Sequence, residues 1–201
     1  MIYVHTILNS ILNSCTYILY NESKDVYLID CGDIEPIKKF IQAKGKTIKG
    51  IFLTHCHYDH IYGINDVISI FPDTAVYGSK DTITGLKDIR INLSKYHGFP
   101  LVVNEKAILK EISEISQLNI LEEKIKVLET PGHDTGCLSY LIGNKLFTGD
   151  SYIPNLPVFT KWKRSDRIKG LRHEEWLKSL KESFNLTFYP GHLIYITKNI
   201  P

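Results

Sequence analysis

Neither sign of charge dominates this sequence. Its 201 residues carry 24 Lys and Arg against 22 Asp and Glu, a formal net charge of +2, which gives no general electrostatic reason to expect nucleic acid or an acidic membrane as partner. Long apolar runs are missing too. The opening MIYVHTILNSILNS has no basic stretch and no unbroken hydrophobic segment, and no later run approaches the ~20 apolar residues of a membrane span. A soluble, cytoplasmic protein without a signal peptide is expected. The four cysteines, Cys15, Cys31, Cys56 and Cys137, form no C-x-x-C pair in a chain large enough to do without disulfide staples, so reduced thiols are expected. There is no long repeat and no linker, and the echo of Leu8-Asn9-Ser10 in Leu12-Asn13-Ser14 is too short to be a structural unit. With 43% apolar residues the chain can bury one substantial core, and a single domain over 1–201 is expected.

What is present begins with β-branched and aromatic runs at Ile2 to Val4, Thr16 to Tyr20 and Val26 to Ile29, which read as strands of a meander. A helical pattern over Ile34 to Ala43 ends at Gly45, and Ile48 to Leu53 returns to strand character. Periodicity predicts helices over His60 to Phe71, Lys80 to Tyr96, Lys106 to Ile115 and His173 to Ser183. It predicts strands at Ala75 to Tyr77, Lys126 to Glu129, Leu138 to Ile142, Lys145 to Phe147 and Thr187 to Tyr189. Two strand-rich halves with interspersed helices suggest two sheets packed face to face with helices outside.

The segment Thr54-His55-Cys56-His57-Tyr58-Asp59-His60 packs three imidazoles and a carboxylate into six residues at the end of a predicted strand. Alternation along an extended segment puts His55 and His57 on one side, where both rings can converge on one ion while Cys56 points away; Asp59 and His60 begin the next turn and can serve a second. Three more segments place a ligand after a strand or turn, each just behind a glycine that permits a tight bend: Thr130-Pro131-Gly132-His133, Phe147-Thr148-Gly149-Asp150 and Tyr189-Pro190-Gly191-His192. Together they offer five His and two Asp, a donor set suited to two borderline ions without thiolate.

The H-x-H-x-D-H segment, the PGH turn, the TGD turn and the final PGH stand here in the order found in the metallo-β-lactamase superfamily, and within it the chain most resembles the glyoxalase II-like hydrolases. The likeness runs from Asn13-Ser14-Cys15-Thr16-Tyr17 and Leu28-Ile29-Asp30-Cys31-Gly32 to Gly191-His192. It implies an α+β fold, a four-layer αββα sandwich of two mixed sheets flanked by helices. It implies that His55, His57 and His133 hold one metal, that Asp59, His60 and His192 hold another, and that Asp150 bridges them. Two divalent ions are implied, zinc foremost, with iron and manganese open. Asp30 reads either as the carboxylate orienting a ligating His or as a plain turn residue.

The implied chemistry is hydrolysis, in which a hydroxide bridging two metals attacks a thioester, ester or lactone carbonyl while Asp59 orients it. The expected partner is a small molecule. Arg164-Ser165-Asp166 resembles the GR-x-D element of small relatives, and the basic stretch 161–167 reads either as a holder for an anionic substrate group or as a solvated loop. Aspartate rather than cysteine at position 150 sets the chain apart from zinc β-lactamases that use a thiolate ligand, so antibiotic hydrolysis is not expected. Nine residues follow His192, too few for the helical extension that binds glutathione in full-length glyoxalase II enzymes, which weakens the expectation of a glutathione thioester. Phosphodiester hydrolysis and mononuclear iron sulfur dioxygenation are the competing activities on the same fold. Cys56 reads as a structural rather than a catalytic thiol, Tyr152 and Tyr195 as packing residues ahead of hydrogen-bond donors to a bound carbonyl, Trp162 and Trp176 as core or groove-lining residues, and His5, His97 and His173 as surface or structural ones.

Overall fold

The computed structural model describes residues 1–193. Among these residues eleven strands form two mixed sheets. The first has six strands in the order β1 (Tyr3–Leu8), β2 (Cys15–Tyr20), β3 (Asp25–Ile29), β4 (Thr47–Phe52), β5 (Ala75–Gly78) and β6 (Ile108–Glu111). Its first three strands are antiparallel neighbours, and β3 to β6 run parallel. The second sheet has the order β11 (Thr187–Pro190), β10 (Lys145–Gly149), β9 (Leu138–Ile142), β8 (Glu123–Glu129) and β7 (Leu118–Ile120). All its pairs are antiparallel except β10 with β11.

Strand alternation divides the apolar side chains among three cores. In β2 and β3, Ile18, Val26 and Leu28 face a core shared with Ile37 and Ile41 of α1 (Ile34–Lys44), Ile64, Val67 and Ile68 of α2 (Ile64–Ile70), and Ile83 of α3 (Lys80–Gly85). The neighbouring Tyr17, Leu19 and Ile29 face the other way, against Ile125, Val127, Tyr140 and Phe147 of the second sheet. On that sheet's far side Leu128 and Leu146 meet Leu177 of α4 (Arg167–Phe184). The layers are therefore helices, sheet, sheet, helix: an αββα sandwich.

Hydrogen bonds tie the two sheets together at the ends of the strands. The fully buried Tyr140 hydroxyl donates to the Leu53 carbonyl (2.5 Å) and the Tyr17 hydroxyl to the Pro190 carbonyl (2.6 Å). The Leu138 amide reaches the Thr54 carbonyl and the Cys15 amide the Gly191 carbonyl, both at 2.8 Å.

Several helices differ from the periodicity reading. Lys106 to Ile115 is not helical but contains the edge strand β6, because the open edge of β5 pairs with its backbone in register from Ala75 with Ile108 to Gly78 with Glu111; sheet pairing overrides local propensity. Lys80 to Tyr96 is helical only as far as Gly85, apart from a single 3₁₀ turn at Ser94–Tyr96. At Gly85 the chain passes Cys56 so closely that a Cβ would lie 2.3 Å from its Sγ, and beyond it the Asp88 carboxylate accepts from the Arg90 amide (2.8 Å) in a side-chain-capped turn. His60 belongs to a 3₁₀ turn, Tyr58–His60, and α2 starts only at Ile64. The last helix begins at Arg167 rather than His173, because Asp166 caps it by accepting from the Lys169 amide (3.1 Å). The strand β7 gave no sequence signal.

Tyr140 offers a test of the link between sheets. Tyr140→Phe keeps the ring and leaves the buried Leu53 carbonyl without its donor, so unfolding free energy should fall by about 1–3 kcal/mol in urea titrations. A change of a few tenths would show that the link contributes nothing.

Candidate metal centre

Every residue of the sequence-derived site lies just beyond the end of a strand or in a turn following one. His55, His57, Asp59 and His60 follow β4, His133 follows β8, Asp150 follows β10 and His192 follows β11. Because β4 belongs to one sheet and the other three strands to the second, the cluster sits on the seam between sheets. At Gly149 the backbone is left-handed (φ 51°) and passes so close to Thr54 that a Cβ would lie 2.6 Å from that side chain; glycine lets the second sheet bring Asp150 up to the histidine loop.

The structure brings all seven residues together. One ligand atom each from His55, His57 and His133 lies within 4.8 Å of the others, and the same holds for Asp59, His60 and His192, and for His55, His60 and Asp150. His57 Nδ1 is 2.9 Å from His133 Nε2, and His60 Nε2 is 3.3 Å from both His192 Nε2 and Asp59 Oδ2. Asp150 spans the halves, with Oδ2 at 3.4 Å from the Nε2 atoms of His133 and His192 and Oδ1 at 3.4 Å from His60 Nε2.

The outward nitrogen of four of the rings is held by the scaffold. His55 Nδ1 meets Thr54 Oγ1 (3.1 Å), His60 Nδ1 meets Asp30 Oδ2 (2.9 Å), His133 Nδ1 donates to the Phe159 carbonyl (2.8 Å) and His192 Nδ1 to the Leu12 carbonyl (2.9 Å). For the fifth, His57 Nε2 faces Asp134 Oδ2 at 3.8 Å, within ion-pair range. Each ring thus keeps one nitrogen aimed inward, the arrangement by which outer partners fix tautomer and direction in metal sites. Two inward atoms, His55 Nε2 and Asp150 Oδ1, are buried with no hydrogen-bond partner, Asp150 Oδ1 lacking the geometry to use its 3.4 Å neighbour. Such orphans are rare in folded proteins, and a cation between them would satisfy both. The donor set therefore fits divalent metal.

The charges point the same way. Burial, with repulsion from the neighbouring rings, drops His55 well below the usual imidazole range and His57 to about 4, so both are neutral donors. Burial also works against the charged form of the other four groups, but their mutual attraction prevails. His60 is raised well above its ordinary value by Asp59, Asp150 and Asp30, and His192 to about 10 by Asp150 and Asp59, while both carboxylates stay ionised. Rings and carboxylates thus favour one another's charged forms, and a cation bound there would compete with protons on His60 and His192.

Asp30 does orient a ring of the cluster. Its carboxylate accepts from the Thr54 amide and hydroxyl (both 2.8 Å) as well as facing His60. Cys56 points away, buried beside Gly85, its thiol pushed up to about 12 by burial. Tyr152 packs edge-on against Phe188, His5 stacks on Phe40, His173 is tied to the Pro131 carbonyl (2.7 Å) beside the part-exposed Trp176, and Tyr195 lies outside the described residues. Trp162 and His97 line the cleft over the cluster. Arg164 is already engaged: Nε and Nη2 contact the Asp134 carboxylate at 2.8 and 3.1 Å, and Nη2 the Thr135 hydroxyl at 2.6 Å. Asp134, fully buried, was missed from the sequence, although it directly follows His133.

The His133 turn packs on α4 without spare room. A Cβ at Gly132 would lie 2.3 Å from the Gly170 Cα, so Gly132→Ala should destabilise the protein by about 1–3 kcal/mol in chemical denaturation. Wild-type stability would mean that turn and helix are not in contact.

A model of the metallo-beta-lactamase superfamily matches residues 11–192. The hydroxyacylglutathione hydrolase of Vibrio campbellii is 30% identical over 134 residues, 67% of this chain and 45% of that protein, and the Buchnera aphidicola enzyme of the same name is 30% identical over 146 residues, 73% and 50%. The chain spans about half the length of these curated relatives. Among solved structures, the B3 metallo-beta-lactamase BLEG-1 superposes with a TM-score of 0.84 at 25% identity, covering 96% of this chain and 92% of that one. TTHA1623, crystallised in a di-iron-bound form, gives 0.79 at 21%, covering 95% and 93%. Fold, cluster and family match agree: this chain belongs to the metallo-β-lactamase superfamily.

Proposed function

We propose that this chain is a binuclear metal-dependent hydrolase acting on a small-molecule thioester, ester or lactone. The observation that carries the reading is the set of inward-facing nitrogens, each ring positioned by a partner behind it, around the buried and unpartnered His55 Nε2 and Asp150 Oδ1. His55, His57 and His133 would hold one ion, Asp59, His60 and His192 the other, and Asp150 would reach both. Zinc suits this nitrogen and oxygen set. Iron suits it as well, and TTHA1623 is described with two irons.

When bound, two divalent ions supply a water activated near neutral pH and Lewis-acid stabilisation of the oxyanion that develops at the carbonyl. The chain's own groups do the rest. Asp59, kept ionised between His60 and His192, would orient the attacking water as well as bind metal. Asp30 and the Leu12 and Phe159 carbonyls keep the rings from turning as charge moves. Trp162, Phe159 and Leu156 narrow the approach to the cluster and limit water around the bound ester. Acyl transfer is preferred to phosphodiester cleavage because curated relatives are named as hydroxyacylglutathione hydrolases. The expected partner is a small molecule rather than nucleic acid or a membrane. No helix among the described residues is long and apolar enough to cross a membrane.

Asp59→Asn tests the reading. With acyl thioesters, lactones, a bis-phosphoester and a β-lactam as substrates for zinc-loaded protein, wild type should turn over a thioester or lactone. The variant should lose roughly 10²–10⁴-fold in kcat. Wild-type turnover in the variant at unchanged metal content would contradict it.

A further inference from the structure

Large apolar side chains are normally sent to the core, yet four stand exposed around one opening here: Leu12 (64%), Leu156 (40%), Phe159 (46%) and Trp162 (43%). They come from distant parts of the chain, the turn between β1 and β2 and the long connection from β10 to α4. With Leu93 and Ile153 they wall a cleft of ≈ 440 Å³ whose floor is the histidine and carboxylate cluster. That volume suits a small-molecule site.

The wall abuts the cluster itself. The Phe159 ring centre lies 6.3 Å from that of His133, the Trp162 ring centre 6.3 Å from that of His57, and the two aromatic rings are 5.7 Å apart. The Phe159 and Leu12 carbonyls accept from His133 and His192, so two of the wall residues are pinned by the histidines beneath them. Fixed positive charge is elsewhere. Among the described residues lining this cleft none is Lys or Arg. Arg90, Lys163 and Arg164 line a neighbouring cleft of ≈ 520 Å³ that meets this one at His57, Leu93 and Trp162, and Arg164 is neutralised by Asp134.

Building on the hydrolase reading, we propose that the substrate carries an uncharged apolar acyl arm, an alkyl chain that lies along Leu12, Ile153, Leu156, Phe159 and Trp162 while its carbonyl reaches the cluster. The basic stretch 161–167 is then not what recognises the acyl group. Affinity and kcat/KM rise with acyl length until the cleft is filled.

The chain has two tryptophans, so Trp176→Phe leaves Trp162 as the sole reporter. In that background the probes are straight-chain methyl ketones from 2-hexanone to 2-decanone, titrated into metal-free and zinc-loaded protein with Trp162 fluorescence as the readout. Each added methylene should tighten binding roughly fourfold, the value of one buried CH₂. In the double variant Leu156→Ala, Phe159→Ala the gain should shrink to below about twofold. Both side chains are substantially exposed, so the variant is expected to fold. Binding independent of chain length, no Trp162 response, or an unchanged slope in the double variant would overturn the proposal. A steep slope with no turnover of any acyl substrate would remove the hydrolase reading and leave the apolar cleft standing. Turnover of acyl substrates with no chain-length dependence would do the reverse.

Discussion

Five imidazoles and two carboxylates cannot be gathered in a buried space unless something prevents the rings from turning away and the charges from repelling one another. Here the restraint is applied from behind. Asp30, Thr54 and the carbonyls of Leu12 and Phe159 take the outer nitrogens of four histidines, and Asp134 faces that of the fifth. The inner nitrogens are then left with each other and with Asp59 and Asp150 as neighbours. Attraction between the carboxylates and the rings of His60 and His192, which raises both imidazoles above their ordinary value, keeps that arrangement electrically tolerable.

Much of the architecture is arranged around this crowd. The residues of the cluster follow strands of both sheets, so their spacing depends on how one sheet sits on the other. The bonds that set that relation lie next to the cluster: Tyr140 on the Leu53 carbonyl, Tyr17 on the Pro190 carbonyl, and the Cys15 amide on the Gly191 carbonyl at 2.8 Å. Leu12 and Asn13 are both held in the left-handed region (φ 54° each), a conformation that non-glycine residues adopt at a cost of about 1–3 kcal/mol each. That turn carries both the carbonyl that orients His192 and an exposed wall of the cleft, so strain is spent where the site needs the backbone.

The cluster was legible in the sequence because its signal is local: residues with few other reasons to be so dense, placed after strands and behind glycines. The two-sheet architecture was legible from alternation for the same reason. What could not be read is held by partners remote in sequence. Residues 108–111 become a strand only because β5 offers an open edge. The carbonyls of Leu12 and Phe159 act through the backbone, so their side chains say nothing of that role. Asp134 was in plain view beside His133, but only the fold shows that it faces His57 and absorbs Arg164.

The most direct test is elemental analysis of purified protein after exhaustive dialysis, with metal counted per folded chain. Close to two divalent ions per chain are expected, and they should be lost when His57 and Asp150 are replaced by alanine. A folded protein that retains no metal when saturated with zinc, iron or manganese would contradict the reading of this cluster as a metal centre.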